Sequence, residues 1–136
     1  MWNMPPEWQP HTATWMGFPT GAYDTAGVSD DDVFDAWAQV ANTISEHEPV
    51  HMLCHPGLLR IAQKNLASAV TLHAFEIDDA WMRDSGPTFV TGEQVLGGVD
   101  WIFNGWGDHT AFDWRQDAKV ASHITELTGA KRLGSD

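Results

Sequence analysis

The fold is decided by the stretch Glu76-Ile-Asp-Asp-Ala-Trp-Met-Arg-Asp-Ser-Gly-Pro-Thr88. It lies between two predicted strands, residues 70–75 and another that begins near Thr88. Its carboxylates surround one tryptophan and one arginine before the chain turns at Ser85-Gly86-Pro87. Carboxylates beside an aromatic ring at a strand end suit a small planar cation, because they offer charge-assisted hydrogen bonds and a stacking face. The competing interpretation is a solvated acidic turn with Trp81 packed in the core.

Strands and helices alternate on both sides of this stretch. Ser29 is a predicted N-cap, and the three aspartates that follow it favour the positive end of a helix dipole. Strand-type runs, the first of them rich in β-branched and aromatic residues, predict strands at residues 12–18, 50–54, 70–75, 88–91 and 94–98 and extended chain at 99–106. Hydrophobic residues at helical spacing predict helices beginning at Ser29, Pro56 and Asp117. Residues 21–27 and 107–116 are predicted loops, and Gly129 is a predicted helix stop. This order is an α/β pattern.

One face of each predicted helix is expected to pack inward. The inward residues are Val33, Phe34, Trp37, Val40, Ala41 and Ile44 in the first helix, Leu58, Leu59, Ile61, Ala62 and Leu66 in the second, and Val120, Ala121, Ile124 and Leu127 in the last.

Composition and charge limit the classes of function. The chain has 136 residues, 43% of them hydrophobic, which fits a single domain with a substantial core. Its net charge of −12 argues against nucleic acid or an anionic membrane as a partner and permits a cationic ligand. No apolar run approaches the roughly 20 residues of a membrane span. We find no secretory signal at the N-terminus, so we expect a cytoplasmic protein.

Two groups of residues suggest other chemistry. His47, His51 and His55 are spaced by four, which on a helix would indicate zinc, but Pro49 interrupts the helix and a strand follows it. We therefore expect no metal site. Cys54, the single cysteine, could be a nucleophile. A cysteine inside a hydrophobic strand is more often a small core residue, and we favour that interpretation.

The eight tryptophans could form a stacking surface. We expect Trp15 and Trp37 in the core, because one lies in a strand and the other on the apolar side of a helix. Trp101 and Trp106 lie on either side of Asn104-Gly105 in a polar segment, and the sequence leaves open whether they are buried or exposed.

Three motifs together resemble the agmatine deiminase family, close kin of the bacterial peptidylarginine deiminases. They are Met-Pro-Pro-Glu-Trp-Gln-Pro-His-Thr-Ala-Thr-Trp-Met (4–16), Asp-Asp-Ala-Trp-Met-Arg-Asp-Ser-Gly-Pro-Thr-Phe (78–89) and Gly-Val-Asp-Trp-Ile-Phe-Asn-Gly-Trp-Gly (98–107). They occur in the order of the family and cover the chain from Met4 to about Gly129.

The resemblance implies an α/β propeller, the pentein fold, built from ββαβ-type units around a central site. It implies hydrolysis of agmatine to N-carbamoylputrescine and ammonia by a cysteine nucleophile, with no metal or cofactor. Asp84 matches the first carboxylate that binds the guanidinium group, and Trp81 matches the ring beside the substrate. Arg83 is expected to be structural, with Asp78 or Asp79 as its partner.

Departures from the family pattern shape our expectations. Asp78 stands where the family usually has Asn, and Phe18-Pro19-Thr20 replaces Trp-Pro-His. Family members are more than twice as long, and Cys54 does not match their nucleophile. We therefore expect residues 1–136 to be an N-terminal fragment of one catalytic domain, part of an incomplete ring and inactive alone, with its last residues at the start of another strand.

Other interpretations stay open. The parent substrate could be peptidyl-arginine or arginine rather than agmatine. The chain could be a non-catalytic module that binds guanidinium or polyamine cations, or an interaction protein with a tryptophan-rich surface. Uncovered sheet edges would allow homo-oligomers to form.

Overall fold

The computed structural model describes residues 1–21, 27–108 and 113–134. The chain divides into two compact units: His11–Ala80 is the first unit, and Met1–Pro10 with Trp81–Asp136 is the second. The predicted loop at residues 21–27 and the middle of the one at 107–116 lie largely outside the described residues.

The first unit is a sheet of three parallel strands. The strands are β1 (Thr14–Gly17), β2 (Val50–Cys54) and β3 (Val70–Ala74), in the order β1-β2-β3. Parallel neighbours need a crossover between them. Helix α1 (Asp30–Ser45) follows β1, and a 3₁₀ turn (Pro56–Leu58) with α2 (Leu59–Asn65) follows β2. This βαβαβ order differs from the expected ββαβ-type unit, because a helix separates every pair of strands.

The predicted start of α1 is confirmed. The Ser29 hydroxyl accepts the Asp32 N–H at 3.2 Å, and the Asp32 carboxylate accepts the Ser29 N–H at 3.2 Å, forming a capping box. The hydrogen bonds that Ser29 donates from its side chain and backbone lower the pKa of Asp32. The first turn is therefore held by local contacts that the sequence itself encodes.

Helices α1 and α2 pack on one face of this sheet. Alternate residues of β2 point to them, and the core cluster consists of Phe18, Phe34, Ala41, Val50, Met52, Cys54, Ala62 and Val70. The expectation of an inward face was wrong for Val40, which is 52% exposed, and for Ile61, which is also exposed. Ala38 is buried instead, because it completes the stripe at spacings of four and three from Phe34 and Ala41.

The second unit has the expected ββαβ order. Strands β4 (Thr88–Thr91) and β5 (Leu96–Asp100) form the predicted antiparallel hairpin, and β6 (Lys131–Gly134) pairs parallel to β5. Between β5 and β6 lie a 3₁₀ turn (Asp117–Lys119) and helix α4 (Val120–Thr128), while one helical turn, α3 (Met82–Ser85), precedes β4. The N-terminal segment joins this unit, since Asn3 exchanges two backbone hydrogen bonds with Thr91 at 2.9 and 2.8 Å.

Helix α4 lies close to β5 at a glycine. A Cβ atom at Gly98 would lie 2.7 Å from Thr125 Oγ1, so a larger residue there would force the helix away. Thr125 is buried, with its hydroxyl donating to the Ala121 carbonyl at 2.7 Å. Leu127, expected to face inward, is exposed. Gly129 ends the helix at φ 65°, as predicted.

The predicted extended segment at 99–106 is only partly correct. Strand β5 ends at Asp100, and the chain then makes a single tight turn, Gly105–Asp108. Inside it Trp106 has φ 58° and Gly107 has φ 102°. These left-handed angles are incompatible with an extended chain as far as residue 106.

Candidate functional site

Trp81 and Asp84 lie on one exposed turn at the start of the second unit. The Trp81 carbonyl accepts the N–H groups of Asp84 and Ser85, each at 3.1 Å, and the Ser85 hydroxyl at 3.1 Å. Gly86 follows because a Cβ atom there would lie 2.5 Å from the Met82 carbonyl oxygen. Trp81 is 46% exposed, so its interpretation as a core residue was wrong.

Asp84 is in contact with Trp106. The Trp106 indole N–H donates to Asp84 Oδ1 at 3.2 Å, across 22 residues of sequence. Trp106 is 50% exposed and meets the Phe103 ring edge to face, with ring centres 5.2 Å apart. The structure therefore joins a residue of the second motif to a residue of the third. The sequence singled out both residues but gave no sign of this hydrogen bond.

Arg83, the neighbour of Asp84 in sequence, has a partner elsewhere. Its Nη1 lies 2.8 Å from Glu7 Oε1, in a pair whose side chains are both exposed. The expected pairing with Asp78 or Asp79 is thus replaced by one with Glu7, which the sequence analysis missed because 76 residues separate the two. Such exposed pairs contribute little stability. The pair does, however, engage the guanidinium group of Arg83, the residue that precedes Asp84 in the sequence.

Asp78 and Asp79 belong to the first unit, and each takes part in a hydrogen bond that involves a backbone group. The Thr20 hydroxyl donates to the Asp78 carbonyl at 2.7 Å, and Asp79 Oδ1 accepts the Ala80 N–H at 2.7 Å. Both side chains are half-buried. Of the three aspartates in the stretch 76–88, only Asp84 lies in the second unit, where Trp81 and Trp106 also lie.

Trp101 is a second exposed tryptophan of the third motif. Its indole N–H donates to Thr88 Oγ1 at 2.9 Å, which ties it to β4 rather than to Asp84. The question left open by the sequence is answered for both tryptophans, because neither Trp101 nor Trp106 is buried. The polar segment between them is a surface feature.

The three histidines at spacing four do not act as a group. His51 Nδ1 lies 2.8 Å from His73 Nε2 on the neighbouring strand, and Trp15 stacks on both rings with centres 4.7 and 5.3 Å away. Trp15 is half-buried, so its predicted core position is only partly correct. Within the described residues, no group of three or more His, Cys, Asp or Glu side chains is arranged to hold a metal ion.

Cys54 fits the core interpretation. The residue is fully buried in β2, and burial raises the pKa of its thiol to about 11. A thiol with that pKa stays protonated at neutral pH, whereas a nucleophilic cysteine reacts as the thiolate. The Cys54 Sγ has one weak hydrogen bond, at 3.5 Å to the His55 carbonyl. Its surroundings are therefore those of a packing residue.

In the described part of the chain no helix is long and apolar enough to cross a membrane.

Comparisons with known proteins place these features in one family. The profile described as Porphyromonas-type peptidyl-arginine deiminase matches residues 3–136. A provisionally named agmatine deiminase of Streptomyces coelicolor is 45% identical, over 98% of this chain and 40% of its own length. The agmatine deiminase of Ectopseudomonas mendocina is 36% identical, over 98% of this chain and 38% of its own length.

A solved structure gives the same result for the fold. The agmatine deiminase of Enterococcus faecalis matches with a TM-score of 0.88 at 29% identity, over 99% of this chain and 38% of that one. This agrees with the α/β arrangement of the two units. The chain spans about 40% of the length of the curated relatives that it matches.

Since the profile extends over nearly every residue and the motif carrying Trp81 and Asp84 lies inside it, this chain belongs to the Porphyromonas-type peptidyl-arginine deiminase family.

Proposed function

We propose that Asp84 and Trp81 form one side of a guanidinium-binding site in an agmatine-deiminase-type hydrolase. The observation that carries this proposal is the geometry of the exposed turn Trp81–Ser85. It presents a carboxylate three residues from a tryptophan that is 46% exposed, while the neighbouring Arg83 is paired with Glu7. The names of the relatives support the substrate class.

The chemistry of the two side chains suits a planar cation. A carboxylate accepts two parallel N–H groups from a guanidinium group, and such charge-assisted pairs are about twice as strong as neutral hydrogen bonds. An indole face adds roughly 0.5–1 kcal/mol at an exposed site through its attraction for the cation. Asp84 would thus fix the orientation of the guanidinium group, and Trp81 would cover one face of it.

For the whole enzyme we propose hydrolysis of agmatine to N-carbamoylputrescine and ammonia. Free arginine and peptidyl-arginine carry the same guanidinium group, so this side of the site would accept them as well. We further propose that the two units belong to a pentein propeller. The ββαβ order of the second unit supports this.

Within this chain the covalent step has no nucleophile. Cys54 is the single cysteine, and its buried, protonated thiol does not suit attack on the guanidinium carbon. We infer that residues 1–136 form an N-terminal part of a catalytic domain that binds a guanidinium group without hydrolysing it. The lack of a suitable cysteine also favours a second candidate function, that of a module that only binds guanidinium or polyamine cations.

Calorimetric titration of agmatine into the chain tests the binding proposal. We expect weak binding that Asp84→Asn reduces about tenfold or more, since a charge-assisted pair contributes on the order of 1.5–3 kcal/mol. Asp31→Asn is the matched control, because it removes the same charge from an exposed position on α1. Equal loss in both variants would mean that only net charge attracts agmatine. Putrescine, which lacks the guanidinium group, separates guanidinium recognition from polyamine binding.

A further inference from the structure

Trp106 has an unusual backbone conformation. Its φ of 58° and ψ of 39° lie in the left-handed region, and it is the sole residue other than glycine with positive φ in the described part of the chain. Residues with a Cβ atom avoid this region, which is why glycine usually occupies it. Gly105 and Gly107, with φ of 61° and 102°, stand on either side. Three consecutive residues are therefore left-handed.

Specific contacts hold this turn. The Asn104 carboxamide oxygen accepts the Gly107 N–H at 3.0 Å and so closes the turn around Trp106. Gly105 lies against Trp114, where a Cβ atom would come within 2.4 Å of the indole Cδ1. The Phe103 ring meets the Trp106 ring edge to face. Strained residues persist where their surroundings determine them, and such residues are concentrated at functional sites.

The left-handed turn places the indole N–H of Trp106 within hydrogen-bond distance of one carboxylate oxygen of Asp84. The Trp106 indole N–H reaches Asp84 Oδ1 at 3.2 Å. Among the described residues no other side chain donates to the Asp84 carboxylate, so Oδ2 has no partner there. An indole N–H can only donate and carries no charge. It can therefore hold a carboxylate in one orientation without neutralising it, which a lysine or arginine could not do.

We propose that Trp106 is a positioning residue for Asp84. Its hydrogen bond to Oδ1 fixes the plane of the carboxylate, so that Oδ2 and the remaining lone pair of Oδ1 stay available to a guanidinium group. The role of this hydrogen bond in guanidinium binding rests on the proposed function, but the hydrogen bond itself can be tested without any ligand. A preoriented carboxylate binds more tightly, because less side-chain freedom is lost on binding.

Nuclear magnetic resonance of the indole N–H groups tests the contact directly. In ¹⁵N-labelled chain, the Trp106 signal is identified by its absence in Trp106→Phe. We expect this signal to move in Asp84→Asn, because a neutral amide oxygen then replaces the charged acceptor of the hydrogen bond. The Trp101 signal is the internal control, since its N–H is bound to Thr88. A Trp106 signal that ignores Asp84 would overturn the inference.

Titration with agmatine then tests whether the hydrogen bond from Trp106 to Asp84 strengthens guanidinium binding. We expect Trp106→Phe, which keeps the ring and removes the donor, to weaken agmatine binding about threefold to tenfold. Trp101→Phe, the matched control, should leave the affinity unchanged. Unchanged affinity in Trp106→Phe contradicts the positioning role. If the unsubstituted chain does not bind agmatine while the Trp106 signal still follows Asp84, the proposed function fails and the positioning of the carboxylate stands.

Discussion

At the scale of single residues, the proposed binding residues differ from the single cysteine in their exposure to solvent. Asp84 and Trp81 lie on an exposed turn, whereas Cys54 is buried in the middle of a sheet. The cost of holding Trp106 in the left-handed region is on the order of 1–3 kcal/mol. That strain is maintained at the one place where its indole reaches Asp84.

Cys54 makes the stability of the fold sensitive to alkaline pH. Its pKa rises from the ordinary 9.0 to about 11 through burial, so the folded state keeps a proton that the unfolded state releases. The contribution of the Cys54 thiol to the free energy of unfolding is complete below pH 9 and is lost as the pH rises through its folded-state pKa of about 11. We predict that Cys54→Ala loses less stability across this range than the unsubstituted chain, by on the order of 2 kcal/mol.

Urea denaturation at a series of pH values measures this difference. The comparison between the two chains removes the contribution of lysine and tyrosine titration, which they share. Identical loss of stability in both chains from pH 9 to 11 would show that the Cys54 thiol is not responsible.

At the scale of secondary structure elements, an ion pair joins β5 to β6. Arg132 donates from Nε at 2.7 Å and from Nη2 at 2.6 Å to Asp100 Oδ2. Asp100 is 8% exposed and Arg132 is 64% exposed. The buried Asp100 carboxylate therefore needs the exposed Arg132 to offset its burial, because a buried carboxylate without its cation carries a large desolvation cost.

This asymmetry predicts unequal effects of two substitutions. Arg132→Ala leaves a buried charge and, because Arg132 itself is largely exposed, should lower the free energy of unfolding by about 1–2 kcal/mol. The double variant Arg132→Ala with Asp100→Asn removes the charge as well and should recover part of that loss. Chemical denaturation measures both. A double variant that is less stable than Arg132→Ala alone would contradict this account of the pair.

Most of the elements could be predicted from local patterns. Ser29 with the three aspartates after it predicted the start of α1, Gly129 predicted the end of α4, and runs rich in β-branched and aromatic residues predicted strands. The exposed positions of Val40, Ile61 and Leu127 could not be predicted. Periodicity identifies a broad apolar side of a helix, but the residues buried on it depend on what packs there.

The candidate site, too, could be predicted only in part from the sequence. Motif resemblance pointed to Trp81 and Asp84, and both lie on an exposed turn, while their role in binding stays a prediction. The hydrogen bond from Trp106 and the ion pair from Glu7 were missed, because they join residues 22 and 76 positions apart. Gly105 and Gly107 were the only local sign of the left-handed turn, and glycine alone does not specify one.

At the scale of the whole molecule, each sheet has two edge strands. In the described residues β1 and β3 are the edges of the first sheet, and β4 and β6 are those of the second. The pairing of Asn3 covers only the Thr91 end of β4. Exposed edges invite pairing with other chains.

We therefore predict that the chain associates as its concentration is raised. Light scattering coupled to size-exclusion chromatography should show a mass above 15.1 kDa that grows with concentration. Replacing Thr71, an exposed residue of the edge strand β3, with lysine should reduce this association, because charged side chains on an edge strand disfavour pairing with another chain. The same change at Val95, in the β4–β5 connection, is the control. A monomer at every concentration would contradict the prediction.

We propose that this chain binds a guanidinium group at Asp84 without hydrolysing it. Agmatine labelled with ¹³C at the guanidinium carbon tests both halves in one sample by magnetic resonance. We predict that the guanidinium signal shifts or broadens in the presence of the chain, that Asp84→Asn abolishes this effect, and that no ureido carbon signal of N-carbamoylputrescine grows with time. A growing ureido signal that Asp84→Asn abolishes, or a guanidinium signal that the chain leaves unchanged, would contradict the account.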